Sequence, residues 1–432
     1  MTLFKRIDPE DVPAARVALP EAETRREAQR MVDDVRVRGE AAVLEHAVRL
    51  GDVGPRDRLV WDPASLADAL ERLPQAQREV LERTAARIRT FAEAQRAALA
   101  DVTIAIPGGR AGHTVTPIER AGCYAPGGRF PLPSSVLMTA VTARAAGVGS
   151  VWVASPRPAP VTLAAAAVAG VDGLLAAGGP HAIAALAFGA GPVPRCDLIA
   201  GPGNRWVTAA KQIVAGHVGV DLVAGPSELV VLADDDGDAE TIAADLLAQA
   251  EHDPDAVPLL VTTSTGLADA VEQALESLIA SLATAPTAGQ ALRNGGAVVV
   301  GSLEAAADVC NRLAPEHLQV MTREPDRVVP LLRHYGALFL GHHAAEVLGD
   351  YGAGPNHVLP TGGAARFSGG LSVLTFLRVR TWLEVDDPCA ARGLAEDAAA
   401  LGRMEGLEGH AAAAERRMEN REVRRSPHHR GR

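Results

Sequence analysis

Two polar side chains at the end of a predicted helix could bind one metal ion. The stretch ETIAADLLAQAEHD, residues 240–253, repeats apolar side chains at three- and four-residue spacing, which is typical of a helix with one buried face. Gln249 and His252 stand three positions apart, so their side chains lie on the same side of that helix. An amide oxygen and an imidazole placed in this way could ligate one cation. The same spacing is also common among ordinary solvated residues.

Further side chains able to bind a metal occur late in the chain. Asp350 and His357 lie in GDYGAGPNH, and His410 ends MEGLEGH. Oxygen and nitrogen donors of this kind favour Zn²⁺, or Mn²⁺ or Co²⁺ in a six-coordinate site, over Ca²⁺. Thiolate ligation is not expected, because the cysteines form no CxxC pair and fit reduced, mostly buried thiols; they are Cys123, Cys196, Cys310 and Cys389.

An adjacent carboxylate and imidazole, Glu316 and His317 in APEHLQV, could transfer protons. Neighbouring side chains diverge in regular secondary structure, so we expect the two to act on different protons or in different steps. A dipeptide of this type is common, and by itself it does not identify an active site.

The sequence pattern of the segments that must position these groups predicts an α/β fold. Residues 20–100 are mostly helical and charged, and residues 123–302 alternate short β-branched runs with Ala-rich helical segments, which predicts βαβ units and a mainly parallel sheet. Clusters of Gly and Pro fall where the predicted strands end, and ligands of open α/β sheets bind at the carboxyl ends of strands. No GxGxxG follows a strand, so these clusters are also compatible with ordinary tight turns. The predicted strands are in 148–155, 171–179, 196–204, 228–234, 257–264 and 295–302.

Composition excludes several classes of protein. The chain has 432 residues, 47% of them hydrophobic, which predicts a globular protein with a large core. Its net charge of −11 is spread along the chain without a basic cluster, so no nucleic-acid partner is expected. No apolar run suits a membrane span and the first residues are too charged for a signal peptide, so we expect a cytoplasmic protein without membrane contact. Schiff-base chemistry has few carriers, since the lysines are Lys5 and Lys211.

Six motifs together resemble the histidinol dehydrogenase family. They cover about residues 20–410 and occur in the order GCYAPGGRFPLPSSVLMTA, AGPGNRWVTAAK, AGPSELVVLAD, DLLAQAEHD, APEHLQ and GDYGAGPNHVLPTGG. The resemblance implies two incomplete Rossmann-like parallel-sheet domains with small helical N- and C-terminal segments. It implies an N-terminal segment 1–21, a first α/β domain of 22–123 plus 227–375 that carries most of the active site, an NAD-binding domain 124–226, and a small domain 376–432 swapped in a homodimer.

The resemblance also implies roles for individual residues. One zinc ion per subunit would be held by Gln249, His252, Asp350 and His410, and Glu316 and His317 would carry the proton transfers. Substrate contacts are implied for Ser227, His357 and Glu405, together with the four metal ligands and His317. NAD contacts are implied for Tyr124 and Asn204. The chain departs from the family at His181, where relatives carry Gln, and this leaves the local hydrogen bonding of NAD open.

The implied reaction is the NAD-dependent four-electron oxidation of L-histidinol to L-histidine through L-histidinal, in histidine biosynthesis. His317 would take the hydroxyl proton, Glu316 would activate the water that adds to the aldehyde, and active sites would be shared within the dimer. Two alternatives stay open. One is a zinc- and NAD-dependent dehydrogenase of another primary alcohol such as a hydroxysulfonate, and the other is a zinc hydrolase, which would need no NAD.

Overall fold

The structure, a computed structural model, describes residues 3–12, 20–127, 130–222 and 225–418. The chain divides into two compact units. The first comprises residues 1–96 and 117–376, and the second comprises residues 97–116 and 377–432. No helix in the described part of the chain is long and apolar enough to cross a membrane.

Strands and helices are numbered along the chain. The strands are β1 Arg6–Ile7, β2 Val60–Trp61, β3 Val102–Ile106, β4 Gly109–Pro117, β5 Arg120–Tyr124, β6 Ser150–Ala154, β7 Gly173–Leu175, β8 Leu198–Ala200, β9 Gly219–Val220, β10 Glu228–Ala233, β11 Val257–Thr262, β12 Gly296–Val299, β13 His317–Met321, β14 Ala337–Leu340 and β15 Leu377–Val385. The helices are α1 Ala22–Arg38, α2 Glu40–Arg49, α3 Pro63–Arg72, α4 Gln75–Ala97, α5 Pro133–Ala146, α6 Pro160–Ala169, α7 Gly179–Phe188, α8 Arg205–Val214, α9 Ala239–Ala250, α10 Thr265–Ile279, α11 Ala285–Ala291, α12 Leu303–Leu313, α13 Pro325–Val328, α14 Glu346–Asp350, α15 Arg392–Met404 and α16 Glu408–Glu415.

Sheet A, in the first unit, is a six-stranded parallel sheet in the order β1-β12-β11-β10-β13-β14. Its strands are nearly continuous apolar runs because helices cover both faces. Along β10, Leu229 and Val231 pack in one apolar cluster with residues of α9 and α10, such as Leu246. The intervening Val230 packs in a second cluster with residues of α12, such as Val309.

Sheet B, also in the first unit, runs β2-β7-β6-β5-β8-β9 and is parallel except for β2. Helices α1, α2, α7 and α8 contribute to one apolar cluster with its strands, and Val32, Ile183 and Val207 are members of that cluster. The helices that the sequence predicts in residues 20–100 thus supply part of this core.

Both sheets reverse their strand order once. In sheet A the chain moves outward from β10 through β11 to β12, and then returns to place β13 on the other side of β10. In sheet B it moves from β5 to β7 and then places β8 on the other side of β5. Such reversals leave a crevice next to the central strands, and ligands of doubly wound sheets bind there.

The second unit contains a three-stranded sheet in the order β15-β4-β3 and the helix pair α15 and α16. Strands β3 and β4 are antiparallel, with Val102 opposite His113. The only apolar cluster found among the described residues of this unit is three alanines, Ala399, Ala411 and Ala414. Several large apolar side chains are exposed, including Leu401, Met404 and Leu383.

The α/β fold with parallel sheets that the sequence predicts is confirmed, and each predicted strand run contains a strand. The predicted helix 240–253 begins one residue earlier and ends at Ala250, so His252 lies in the turn that follows it. The hairpin of β3 and β4 was not predicted. The four predicted domain boundaries stay predictions, and residues 13–19 of the N-terminal segment lie outside the described residues.

Candidate active site

Glu316 and His317 are both held by the backbone of one residue of sheet A, Glu228. The backbone N–H of Glu228 donates to Glu316 Oε2 at 2.9 Å, and His317 Nδ1 lies 3.0 Å from the Glu228 carbonyl oxygen. Both side chains are buried, and Glu316 Oε2 is 3.7 Å from His317 Nδ1. The expectation that the two side chains diverge is therefore wrong. Glu316 precedes the first residue of β13, so strand alternation does not separate the pair.

The hydrogen bond at Nδ1 fixes how His317 can react. A carbonyl oxygen only accepts, so Nδ1 carries a proton and Nε2 of the neutral ring has a free lone pair. Nε2 is buried with no hydrogen-bond partner, and Asp350 Oδ1 lies 3.6 Å away, beyond hydrogen-bond distance. A buried ring nitrogen without a partner is costly in either protonation state, unless a ligand supplies the missing hydrogen-bond partner.

Three side chains beside His317 could hold a metal ion. His252, Glu346 and Asp350 each place one ligand atom within 4.8 Å of the others. His252 Nε2 is 3.7 Å from Asp350 Oδ2 and 3.9 Å from Glu346 Oε1. Glu346 and Asp350 are four residues apart in α14 and so share one face of that helix.

Gln249 joins this group from the last turn of α9. Its side chain is fully buried. With the amide oriented to suit its surroundings, the nitrogen donates to both Glu346 carboxylate oxygens, at 2.8 and 3.1 Å. The amide oxygen is then directed away from Glu346. Of the four metal ligands implied by sequence, the first unit therefore brings together Gln249, His252 and Asp350.

Buried carboxylates give this region an excess of negative charge. Burial raises the pKa of Glu316 and of Glu228 to about 7, and it raises the pKa of Glu346 as well. Burial also opposes protonation of His317, but the Glu316, Glu346 and Asp350 carboxylates outweigh it and raise the pKa of the imidazole to about 10. A bound divalent cation would offset these carboxylates and so lower the pKa of His317 toward its usual range.

His357 lies beside the same cluster. Its Nδ1 is 2.9 Å from the Asp350 carbonyl oxygen, and its Nε2 is 3.5 Å from Ser135 Oγ in α5. The neighbouring Asn356 donates to the Met138 carbonyl oxygen at 2.7 Å. Burial lowers the pKa of His357, so its Nε2 is a neutral acceptor. Residues 350–357 thus link the cluster to the helix that follows β5 of sheet B.

A second group of predicted residues lies at the carboxyl ends of the sheet B strands. Tyr124 ends β5, and its buried hydroxyl accepts a hydrogen bond from Gly179 N at 3.2 Å, in the turn after β7. His181, in the first turn of α7, is fully buried, and its Nε2 is 3.1 Å from Asp52 Oδ2. The same Asp52 oxygen accepts from Gly178 N at 2.8 Å. The His181 side chain is therefore buried against Asp52 and is not exposed to solvent.

Asn204 caps α8 on the other side of β5. Its Oδ1 accepts from Trp206 N at 3.1 Å and Val207 N at 3.3 Å, and the residue is exposed. The preceding turn is fixed by a buried ion pair between Lys211 and Asp221. Asp221 Oδ2 accepts from Gly201 N at 2.7 Å, and Lys211 Nζ donates to the Gly201 carbonyl oxygen at 2.9 Å. Lys211 is thus engaged by an acid and a carbonyl.

The remaining predicted residues lie apart from these contacts or outside the first unit. Ser227 directly precedes β10, next to Glu228. Glu405 follows α15 and His410 lies in α16; both are exposed residues of the second unit. The cysteines are free, and Cys389 is exposed while the other three are buried, as expected.

The sequence interpretation missed Glu346 and Glu228. Glu346 has a visible signal, because it stands four residues before Asp350 and shares its helix face. Glu228 has none, since its contact with the predicted catalytic pair runs through the backbone.

Comparisons with known proteins identify the family to which the chain belongs. The sequence model of the family described as histidinol dehydrogenase matches residues 15–418. The chain is 44% identical over 394 residues to histidinol dehydrogenase of Aromatoleum aromaticum, covering 90% of each chain. It is 42% identical over 441 residues to that of Bordetella parapertussis, covering 97% of this chain and 98% of the relative.

A solved structure has the same overall fold. The crystal structure of histidinol dehydrogenase from Elizabethkingia anophelis superposes with a TM-score of 0.90 at 28% identity, covering 97% of this chain and 99% of that one.

Proposed function

Because the chain belongs to the histidinol dehydrogenase family of oxidoreductases, we propose that it oxidises L-histidinol to L-histidinal and then to L-histidine. Two NAD⁺ and one water would be consumed, and the reaction would serve histidine biosynthesis. The observation that best supports this is the position of His317 Nε2, a buried atom with no hydrogen-bond partner, 3.6 Å from Asp350 in the metal-binding cluster.

His317 would act as the base of the first oxidation. Its Nδ1 proton is held by the Glu228 carbonyl oxygen, so the Nε2 lone pair is the atom that takes the hydroxyl proton of the alcohol. NAD would supply the acceptor for the hydride that leaves the same carbon. The Glu228 contact keeps the ring in this tautomer for the second oxidation.

Glu316 would activate the water that adds to the aldehyde. Its Oε2 is bound to Glu228 N, and its pKa of about 7 lies near the pH at which the enzyme must work. A carboxylate with this pKa accepts a proton from water more readily than one at the usual value. The hydrated aldehyde can then lose a second hydride to yield the carboxylic acid.

The donors in the cluster fit a zinc ion, one per subunit. Imidazole, carboxylate and amide oxygen are ligands that Zn²⁺ accepts, and the uncompensated buried carboxylates fit a divalent cation. We assign Gln249, His252 and Asp350 to it, with His410 as the fourth protein ligand. When bound, the ion would supply a fixed point of attachment for nitrogen atoms of the substrate, and these residues would thereby orient the substrate relative to His317.

Substrate contacts are proposed for the residues around this cluster. They are Ser227, His357 and Glu405, together with the metal ligands and His317. Of these, Ser227 directly precedes Glu228, and His357 is bonded to the Asp350 carbonyl oxygen. Both therefore adjoin residues that contact the proposed base or metal.

The crevice beside β5 and β8 of sheet B would bind NAD. Tyr124 lies on one side of the reversal in strand order and Asn204 on the other, and helices α7 and α8 begin at the adjoining turns. The positive ends of the dipoles of these two helices suit a pyrophosphate. NAD would supply the hydride acceptor. His181 would affect NAD binding indirectly, through Asp52, which also accepts from the Gly178 N–H.

We further propose a cytoplasmic homodimer with shared sites, in which residues 376–432 of one subunit are swapped and supply Glu405 and His410 to the other. The exposure of Leu401 and Met404 on the second unit supports such a covered surface. The expected result is complementation. Mixed subunits carrying His410→Ala and Glu316→Gln should regain part of the activity after confirmed exchange.

The decisive experiment counts NADH formed from L-histidinol by the zinc-loaded protein at completion. Two NADH per histidinol, with histidine as product, are expected. One NADH with histidinal released would contradict the four-electron reaction. Turnover of another primary alcohol alone would favour the other dehydrogenase, and activity without NAD would favour a hydrolase.

A further inference from the structure

Two turns at the amino end of sheet A are bonded to each other in both directions. Gly225 N donates to Thr361 Oγ1 at 2.5 Å, and Gly362 N donates to Glu228 Oε1 at 3.0 Å. Thr361 is buried at 2% exposure, so its hydroxyl is shielded from competing water. The turn before β10 and the turn at residues 361–363 therefore form one connected unit.

Glu228 occupies the centre of this connection. Its backbone N–H holds Glu316, its carbonyl oxygen holds His317 Nδ1, and its side chain holds Gly362. A displacement of Glu228 would therefore move Glu316 and His317 together. Ser227 lies between the two bonded positions, Gly225 and Glu228, so its place is set by the same contacts.

The turn at 361–363 has a backbone conformation that requires glycine. Gly362 and Gly363 have φ of 62° and 79°, values that side-chain-bearing residues rarely adopt. In this conformation the N–H of Gly362 donates to Glu228 Oε1. On the other side, a Cβ at Gly336 would lie 2.5 Å from the Glu316 carbonyl oxygen and 3.1 Å from a Pro360 ring carbon, so this turn packs closely against the Glu316 segment.

We propose that Glu228 and Thr361 are positioning residues that hold Ser227, Glu316 and His317 as one unit for histidinol oxidation. The inference rests on the proposed function for the roles of those three residues. The carboxyl group of Glu228 serves as a hydrogen-bond acceptor toward Gly362, and the hydroxyl of Thr361 as an acceptor toward Gly225. Neither transfers a proton in the reaction.

Matched substitutions at Glu228 and Thr361 distinguish the loss of a hydrogen-bond acceptor from the loss of charge or of shape. Glu228→Gln keeps an oxygen that can accept from Gly362, whereas Glu228→Leu does not. Thr361→Ser keeps the hydroxyl, whereas Thr361→Val keeps the shape and loses it. Steady-state kinetics with histidinol and NAD⁺ would be measured for all four. Hydrogen exchange of segments 225–232 and 358–366 would be followed by mass spectrometry as a readout independent of activity.

We expect Glu228→Leu to lower kcat/KM for histidinol by about 10- to 100-fold, because misplacement of reacting groups by about 1 Å has effects of this size. Thr361→Val loosens mainly the turn that carries Ser227, so the KM for histidinol should rise by about tenfold with a smaller change in kcat. Glu228→Gln and Thr361→Ser should stay within about threefold of wild type. The KM for NAD⁺ should not change in any variant, and hydrogen exchange should accelerate only in the Leu and Val variants.

Several outcomes would overturn the inference. A Glu228→Gln enzyme as impaired as Glu228→Leu would mean that the carboxylate charge matters rather than its position. Unchanged exchange and kinetics in Thr361→Val would show that the turns are not coupled. If Glu228→Leu fails to fold, the Thr361 pair and Glu228→Gln carry the same comparison. A wild-type enzyme inert toward histidinol would instead refute the proposed function, and the exchange data would still decide whether the two turns hold each other.

Discussion

The candidate site residues lie at one end of sheet A and one end of sheet B, and the buried charged groups at these two ends differ. At the amino ends of β10 and β13 in sheet A, buried carboxylates and an imidazole have pKa values moved toward or past neutrality, as for Glu316 at about 7. At the carboxyl ends of β5, β7 and β8 in sheet B, the buried groups are closed into pairs, Lys211 with Asp221 and His181 with Asp52. Burial there raises the pKa of Tyr124 to about 12, so the phenol stays neutral.

Under the proposed function, this difference would place proton transfer and metal binding at sheet A and the binding of NAD at sheet B. Uncompensated charge in sheet A leaves groups able to exchange protons and to attract a cation. In the two buried pairs of sheet B, the acid also accepts a hydrogen bond from a glycine N–H, Asp52 from Gly178 and Asp221 from Gly201. The proposed site in sheet A would lie at the amino ends of its strands rather than at the carboxyl ends, since Glu228 and His317 begin β10 and β13.

The largest effect is expected for metal binding. His252→Ala should remove tightly bound zinc and lower kcat by at least about 100-fold, because it deletes a ligand in the cluster with Asp350. Zinc would be measured by mass spectrometry of the purified protein. His342→Ala is the matched control, since His342 has a similar exposure, 35% against 36%, and lies beside Asp236. Full zinc occupancy in His252→Ala would refute the assignment.

Next in size is the loss of the water-activating carboxylate. Glu316→Gln should slow the oxidation of histidinal by about 10²- to 10⁴-fold, the usual contribution of a general base, and should slow the first hydride transfer much less. Single-turnover NADH formation from each substrate distinguishes the steps. Glu304→Gln, at an exposed position in α12, is the control. Equal loss of both oxidations would count against the role of Glu316.

A substitution in sheet B should change stability and NAD binding together. Lys211→Met leaves Asp221 as an uncompensated buried charge, which costs about 3 to 5 kcal/mol in unfolding free energy. The KM for NAD⁺ should rise by about tenfold, because the Gly201 turn loosens, while the KM for histidinol stays unchanged.

The other lysine of the chain, Lys5, provides the control for that experiment. Lys5→Met removes only an exposed hydrogen bond to the Arg293 carbonyl oxygen and should alter neither quantity. The double variant Lys211→Met with Asp221→Asn should recover stability. A wild-type KM for NAD⁺ in the single Lys211→Met variant would break the proposed contrast between the two sheets.

The smallest effect concerns pH and tests the electrostatic contrast directly. The folded-state pKa of Glu316 is about 7 against a usual 4.5, so the folded protein retains a proton that the unfolded chain releases. Its contribution to stability therefore falls as pH rises from 4.5 through 7. In metal-free protein, Glu316→Gln should raise Tm relative to wild type by a few degrees more at pH 8 than at pH 5.

Tyr124→Phe is the matching variant in sheet B. Since the phenol does not ionise below about pH 12, the difference in Tm from wild type should be the same at pH 5 and pH 8. A pH-dependent difference for Tyr124→Phe, or none for Glu316→Gln, would contradict the division of the molecule into a titrating and a non-titrating site.

The sequence predicts regular elements well where the pattern is strong. Runs such as ELVVLA are apolar on both faces and contain the central strands. Strand β13 was missed because the polar residues His317 and Gln319 interrupt its apolar run. The hairpin β3–β4 was missed because its exposed, mixed residues lack a clear alternation. The β-propensity of the residues is weak evidence for strands that contain polar residues.

For the site, the sequence reveals residue types but not backbone contacts. Gln249, His252 and Asp350 could be named from motifs, and the structure brings them together. The contacts of Glu316 and His317 with the Glu228 backbone could not be predicted from the sequence. They depend on the register that sets Leu229 opposite His317. His181 was recognised as a departure from the family, but its buried partner Asp52 was not, since 129 positions separate the two.

Strand β1 has a consequence for how the chain is made. Arg6 pairs with Ala297 in sheet A, although all of sheet B lies between them in sequence. At about 5 to 20 residues per second, a ribosome needs roughly 15 to 60 s to reach the partner strand after making β1. Sheet B has all its strands by Val220 and can form in that interval. Closure of sheet A is then a late, long-range step, and until it occurs β12 presents an unpaired edge to which other chains can add.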